Sequence, residues 1–155
     1  MDETAQAGEM DVAAGLVRLS FLVQGIYART SERCDLTPVQ ARLLCVLAGS
    51  PRCMAELAAL FGVEKAALTG LVDRAERRGL VRRAPVPGDR RALLVTLTPD
   101  GRQAAAAFLD DVRTEVAELA SDLRPDDREH FRATLAQVIR GHETPSPRAG
   151  RAGQR

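Results

Sequence analysis

MAELAALFGVEKAALTGLVDRAERRGL, residues 54–80, holds two short helical patterns on either side of a glycine. Leu57, Ala58 and Phe61 form one apolar face, and Gly62 breaks it. Leu68, Leu71, Val72 and Ala75 form a second face at the i, i+3, i+4, i+7 spacing of a helix buried on one side. Gly79 ends that helix, and Arg77 and Arg78 stand in its last turn, where cations suit the helix dipole. A helix-turn-helix needs a small residue where the helices cross, a glycine in the turn and two inward apolar residues on the second helix. Ala58, Gly62, Leu68 and Leu71 meet those needs. An ordinary helical hairpin meets them too, so the segment that follows has to decide.

Residues 80–83 and 92–97 read as two strands around a loop containing Pro85, Pro87 and Gly88, with Leu93, Val95 and Leu97 on one face. The hairpin tip is expected at residues 88–91, which carry Asp89, Arg90 and Arg91. Paired arginines at a turn are often no more than solvated charges. A strand pair directly after the second helix, however, makes a winged helix-turn-helix. There the second helix occupies the DNA major groove and a basic tip reaches the adjacent minor groove, whose concentrated negative potential suits arginine. Between residues 62 and 91 there are eight basic residues against four acids, +4 within a chain of net +1. Arg90 and Arg91 are therefore expected to contact DNA.

The flanking segments read as helices. Val12, Leu16, Leu19, Val23 and Ile26 give a first helix over about 11–31 with the seam of a helix that packs on another. Thr37, Pro38 and Gln40 supply a cap, a first-turn proline and a capping-box partner for a helix over about 38–48. Thr98 and Pro99 repeat the start for a long helix over 99–122, striped by Phe108, Val112, Val116, Leu119 and Leu123. Pro125, Asp126 and Asp127 open a last helix carrying Phe131, Leu135, Val138 and Ile139. The expected class is mainly α with a small β-hairpin wing. One domain spans residues 11–140, with a DNA-binding lobe over about 38–98 and helical dimerisation segments over about 11–31 and 99–140. Residues 1–10 read as a flexible leader. Residues 141–155, rich in Pro, Gly, Ser and Arg, read as a disordered basic tail.

Composition narrows the function. At 155 residues, with 45% apolar but only 3% aromatic residues and no tryptophan, the core must be built from Ala, Leu and Val, which favours helices. Cys34, Cys45 and Cys53 are odd in number, and residues 1–11 lack the apolar run of a secretory signal, so a reduced, cytoplasmic setting without disulfides is expected. No apolar run approaches membrane-spanning length. Neither a phosphate-binding glycine loop nor a paired-histidine zinc motif occurs, and the cysteine spacing fits no zinc pattern, so no enzyme, metal site or cofactor is expected. The apolar seams of the first and last two helices exceed what one small domain covers, which predicts a homodimer.

Three stretches, LTPVQARLL at 36–44, LAALFGVEKAALTGLVDRAERRGLVRR at 57–83 and PGDRRALLVTLTPDG at 87–101, resemble in order and spacing the MarR-type transcription regulators. The resemblance covers about residues 12–140. It implies a triangular winged-helix homodimer, joined through its first and last two helices, that binds a near-palindromic double-stranded operator. Such proteins are usually repressors released by a small-molecule effector or by oxidation. It further implies a recognition helix over about 64–78 with Lys65, Ala66, Thr69, Gly70 and Arg74 facing outward, Arg91 in the minor groove, and Asp89 steadying the wing through an arginine. Arg18, Tyr27 and Arg42 are the effector-site candidates.

The sequence departs from many relatives at the helix start, where Glu64 stands instead of Ser or Thr. Glu64 either caps the helix dipole or accepts a hydrogen bond from cytosine N4. Few long donors face outward, so shape readout through the wing is expected to carry much of the specificity. Gly70 costs about 1 kcal/mol in a helix interior, which suggests close backbone approach to DNA. Two alternatives stay open: a cysteine-based redox repressor, although no cysteine occurs early in the first helix as in the peroxide-sensing branch, and a protein-only dimeric adaptor.

Overall fold

The computed structural model describes residues 11–86 and 88–142, with the side chains of residues 89–92 outside that description. The expected leader, the tail from residue 143 on and the side chains of Asp89, Arg90 and Arg91 thus lie outside the described residues. In chain order the elements are α1 (Val12–Arg33), α2 (Pro38–Gly49), β1 (Arg52–Cys53), α3 (Met54–Phe61), α4 (Lys65–Arg77), β2 (Val81–Val86), β3 (Asp89–Leu97), α5 (Pro99–Glu118) and α6 (Pro125–His142). They fall into two compact units that divide between Ala117 and Glu118.

In the first unit the helix starts follow from their caps. Asp11 accepts from the Ala14 amide at 2.8 Å. Thr37 Oγ1 accepts from the Gln40 amide at 3.2 Å while Gln40 Oε1 accepts from the Thr37 amide at 3.1 Å, the reciprocal box that the sequence predicts. The core joins Leu43 and Leu44 of α2, Leu57 of α3, Leu68 and Val72 of α4, Val95 of β3 and Phe108 of α5, all fully buried. Burying each such side chain contributes about 1.5 to 3 kcal/mol. Phe108 also sets its ring edge-on to Tyr27 of α1, with centroids 4.8 Å apart.

The sheet is antiparallel in the order β1-β3-β2. Strand β1 was not expected: two residues carry no alternation, and only the pairing of Arg52 with Val95 and of Cys53 with Leu94 defines it. Strand β2 extends further than expected and pairs Pro85 with Leu93. It is an edge strand, where a missing N–H leaves no ladder bond unmade. The expected tip at 88–91 is corrected. Val86 pairs with Asp89 after an irregularity at Pro85/Val86, and Gly88 turns the chain at φ +87°, so Arg90 and Arg91 begin β3 rather than forming the turn.

Helix α5 leaves β3 under a tight constraint. Thr98 Oγ1 accepts from the Gly101 amide at 2.9 Å and donates to the Gly79 carbonyl at 2.6 Å, while the Thr98 amide donates to the Leu80 carbonyl at 3.1 Å. A Cβ on Gly101 would lie 1.8 Å from that Leu80 oxygen. The end of α4, the root of the wing and the start of α5 therefore share one joint. Helix α5 stops at Glu118, not at 122 as expected, and passes into turns held by Ser121 N–H to Glu118 C=O at 3.0 Å. Ser121 and Asp122 favour such turns because their side chains compete for nearby backbone groups.

Helix α1 is less buried than its seam predicts. Ile26 is buried and Leu19 and Val23 are half-buried, but Val12 and Leu16 are exposed. Val17, Phe21 and Leu22 add a second exposed apolar face, with Phe21 65% accessible. In the second unit α6 buries none of its residues and exposes Phe131, Val138 and Ile139. It runs on through Gly141 to His142, two residues into the expected tail.

Candidate nucleic-acid interface

The turn between α3 and α4 closes on Gly62, whose φ of +63° is the left-handed backbone that a side chain resists. Its amide and that of Val63 donate to the carbonyls of Ala59 and Ala58 at 3.3 and 3.2 Å. The crossing puts Leu68, Leu71, Val72 and Ala75 of α4 into the core. Outside the core α4 leaves the residues expected from the sequence, Lys65, Ala66 and Arg74 exposed and Thr69 and Gly70 half-exposed, together with exposed Ala67 and Arg77. The Thr69 hydroxyl donates back to the Lys65 carbonyl at 2.8 Å, leaving its lone pairs for a partner. Among the described residues nothing requires Gly70 to be glycine. A Cβ there would meet only the tip of the Arg74 side chain at 3.3 Å. Glu64 takes the N-cap backbone conformation, but its side chain makes no capping hydrogen bond.

Two ion-pair clusters hold α4 from its sides, and the sequence reading missed both. Arg83, on the strand leading to the wing, donates through Nη2 to Asp73 Oδ1 at 2.6 Å and through Nη1 to Glu76 Oε2, and its amide donates to Glu76 Oε1 at 3.0 Å. Burial works to lower the Arg83 pKa, but the hydrogen bonds and charges of Asp73 and Glu76 outweigh it and the net shift is upward. At the far end of α4, Arg78 donates to Asp35 Oδ2 at 2.8 Å and to Gln40 Oε1 at 3.1 Å, which ties the helix end to the α1–α2 corner. The signal available in the sequence was a pair of acids at i, i+3 on a helix otherwise rich in cations.

Of the effector-site candidates, Tyr27 and Arg42 come near one another and Arg18 does not. The Tyr27 hydroxyl donates to Cys45 Sγ at 3.8 Å, and burial pushes its pKa upward, helped by Cys45 and opposed by the charge of Arg42. Arg42 is engaged by its neighbours: it lies 4.6 Å over the Phe61 ring and donates to the Leu60 carbonyl at 2.8 Å. Arg18 precedes Tyr27 by nine residues, so it lies about 13 Å away along α1 and on the opposite side of the helix. Cys34, Cys45 and Cys53 are free and half-buried. Burial raises the thiol pKa of both Cys34 and Cys45, which disfavours the thiolate that peroxide or disulfide chemistry uses.

Residues 35–92, from the α1–α2 corner to the third strand, match the family model described as "MarR family". The HTH-type transcriptional repressor NicR of Pseudomonas putida is 42% identical over 82 residues, covering 51% of this chain and 49% of that protein. The chain thus spans about half the length of that curated relative. Among solved structures, RV1404 from Mycobacterium tuberculosis matches with a TM-score of 0.75 at 29% identity, over 96% of this chain and 100% of that one. The transcriptional repressor CouR, solved bound to a 23-mer DNA duplex, matches with a TM-score of 0.65 at 27% identity, over 90% of this chain and 99% of that one. Residues 35–92 thus resemble the MarR family in sequence, and along most of its length the chain shares the fold of solved structures such as RV1404 and CouR.

Proposed function

We propose that this chain is a sequence-specific transcription regulator, a repressor that binds a near-palindromic operator as a homodimer in the cytoplasm. The observation that carries this reading is the division of α4 into a buried apolar face and an open face bearing Lys65, Ala66, Thr69, Gly70 and Arg74, with the β2–β3 wing next in the chain. A helix so exposed fits a major groove: Lys65 and Arg74 reach phosphates, while Ala66 and Gly70 let the backbone come close to the base edges. The likeness to CouR, which was solved with a duplex, supports it. Selection from random duplexes with the full chain tests it. The expected product is a pair of half-sites about 10 bp apart centre to centre, bound with an affinity that falls steeply with salt. No enrichment and a flat salt dependence would leave the protein-only adaptor.

Dimerisation is supported by the exposed α1 face of Val17, Phe21 and Leu22 and, separately, by the unburied α6 residues Phe131, Val138 and Ile139. Light scattering is expected to give twice the 16.7 kDa chain mass at micromolar concentration. Phe21→Glu is expected to raise the dimer dissociation constant by about tenfold or more, since a charge would sit where an apolar anchor was. A wild-type monomer at that concentration would remove the homodimer from the reading. Release by a small-molecule effector acting near Tyr27 and Arg42 belongs to the same proposal.

Gly70 gives a test in which stability and function move in opposite directions. Gly70→Ala is expected to stabilise the fold by up to about 1 kcal/mol through helix propensity, because only a movable Arg74 tip meets the new methyl. The same methyl is expected to weaken operator binding by about tenfold if bases or sugars approach the backbone there. Melting curves and anisotropy titrations measure the two effects. A variant that gains stability and keeps its full operator affinity would show that no DNA comes close at Gly70.

A further inference from the structure

We propose that Arg83 is a positioning residue for DNA reading: it locks the strand that leads to the wing against the recognition helix, so that the two reading elements keep one fixed spacing. This rests on the DNA-binding reading above. Three hydrogen bonds run from this one residue, two from its guanidinium and one from its amide, to carboxylates one helical turn apart on α4. A planar guanidinium held by two carboxylates fixes direction as well as distance. The arginine is 21% exposed, and in the sheet it stands opposite Val95, which is fully buried, so its backbone cannot slide without moving the core.

The lever arm gives the lock its importance. Val86, the last residue of β2, lies three residues beyond Arg83, about 10 Å along the strand, so a pivot of about 10° at the root would carry that end about 2 Å, a third of the width of a minor groove. The lock also removes an electrostatic conflict. Asp73 follows Gly70 by three residues and Thr69 by four, which puts a carboxylate beside the open face of α4 that is proposed to meet DNA. Among the described residues, neither Asp73 nor Glu76 pairs with any cation except Arg83.

Two variants of the full chain test this, assayed on a duplex selected by the wild type and on a random duplex. Arg83→Gln is expected to lose the hydroxyl-radical protection of the minor grooves flanking each half-site, keep the major-groove protection by α4, and bind the selected duplex about tenfold more weakly. Asp73→Asn/Glu76→Gln keeps the arginine and adds positive charge, so its affinity for the random duplex is expected to rise while discrimination falls about tenfold and flank protection is lost. Retained flank protection and discrimination in either folded variant overturns the proposal. Equal losses on both duplexes that track a lowered melting temperature also overturn it, because they show a role in stability alone. Should Arg83→Gln fail to fold, the double variant decides. A wild-type chain that enriches no duplex overturns the DNA-binding reading itself, and the proposal with it.

Discussion

Gly101→Ala is expected to destabilise the chain by about 3 kcal/mol, the upper end of what an added methyl costs in a packed site. The added Cβ would stand 1.8 Å from the Leu80 carbonyl oxygen and 2.8 Å from its carbon, so backbone rather than a movable side chain would have to retreat. That oxygen accepts from the Thr98 amide, and the neighbouring Gly79 carbonyl accepts from the Thr98 hydroxyl, so a retreat strains the hydrogen bonds that join the end of α4 to the start of α5. The helix propensity of alanine returns only about 1 kcal/mol. Gly49→Ala is the matched control: among the described residues nothing lies within 4 Å of a Cβ there, and a change within about 0.5 kcal/mol is expected. Urea unfolding of the two variants measures the contrast. Operator affinity of the Gly101 variant should fall as well, because Leu80 is where recognition helix passes into wing. Equal stabilities would mean that α5 starts further from Leu80 than this packing has it.

What could be read from the sequence was whatever single residues announce. Thr37 with Pro38 and Gln40, Thr98 with Pro99, and Gly62 with Gly79 each mark a helix end chemically, and α2, α3, α4 and the start of α5 begin or stop where those residues stand. The outward face of α4 was legible for a related reason: once Leu68, Leu71, Val72 and Ala75 take the core, the helical period assigns Lys65, Ala66, Thr69, Gly70 and Arg74 to the other side. Features made by partners distant in sequence were not legible. Strand β1 exists only through its pairing with β3, and the turn at Gly88 is set by a register irregularity at Pro85/Val86. The Arg83 and Arg78 clusters reach carboxylates 7 to 10 and 43 residues away. Val12 and Leu16 of the expected seam are exposed, as is Phe21 outside it, because helical periodicity locates an apolar stripe but does not say what covers it.

Arg91→Ala is expected to weaken operator binding by about 1 to 3 kcal/mol for each wing and so by about 2 to 6 kcal/mol for the proposed dimer, a loss of roughly 30-fold at the least. The expectation rests on three things: the +4 charge between residues 62 and 91, the place of Arg90 and Arg91 directly after the turn at Gly88, and the few long donors on the open face of α4, which leave groove shape to be read elsewhere. Preference should relax at A·T positions flanking each half-site, where a narrow minor groove holds an arginine best. Arg90→Ala should behave differently. If it neutralises one phosphate per protomer, it weakens selected and random duplexes alike and lowers the dimer's salt slope by about 2, one unit per symmetric contact. Unfolding curves for both variants should match wild type, since arginines next to a turn are rarely part of an apolar core. Titrations on both duplexes at several salt concentrations separate the two roles, because loss of a shape contact changes the ratio of affinities while loss of a phosphate contact changes the slope. Undiminished operator affinity in a folded Arg91→Ala chain would make the pair solvated strand residues, and specificity would then have to come from α4 alone, against the sparse set of donors it presents.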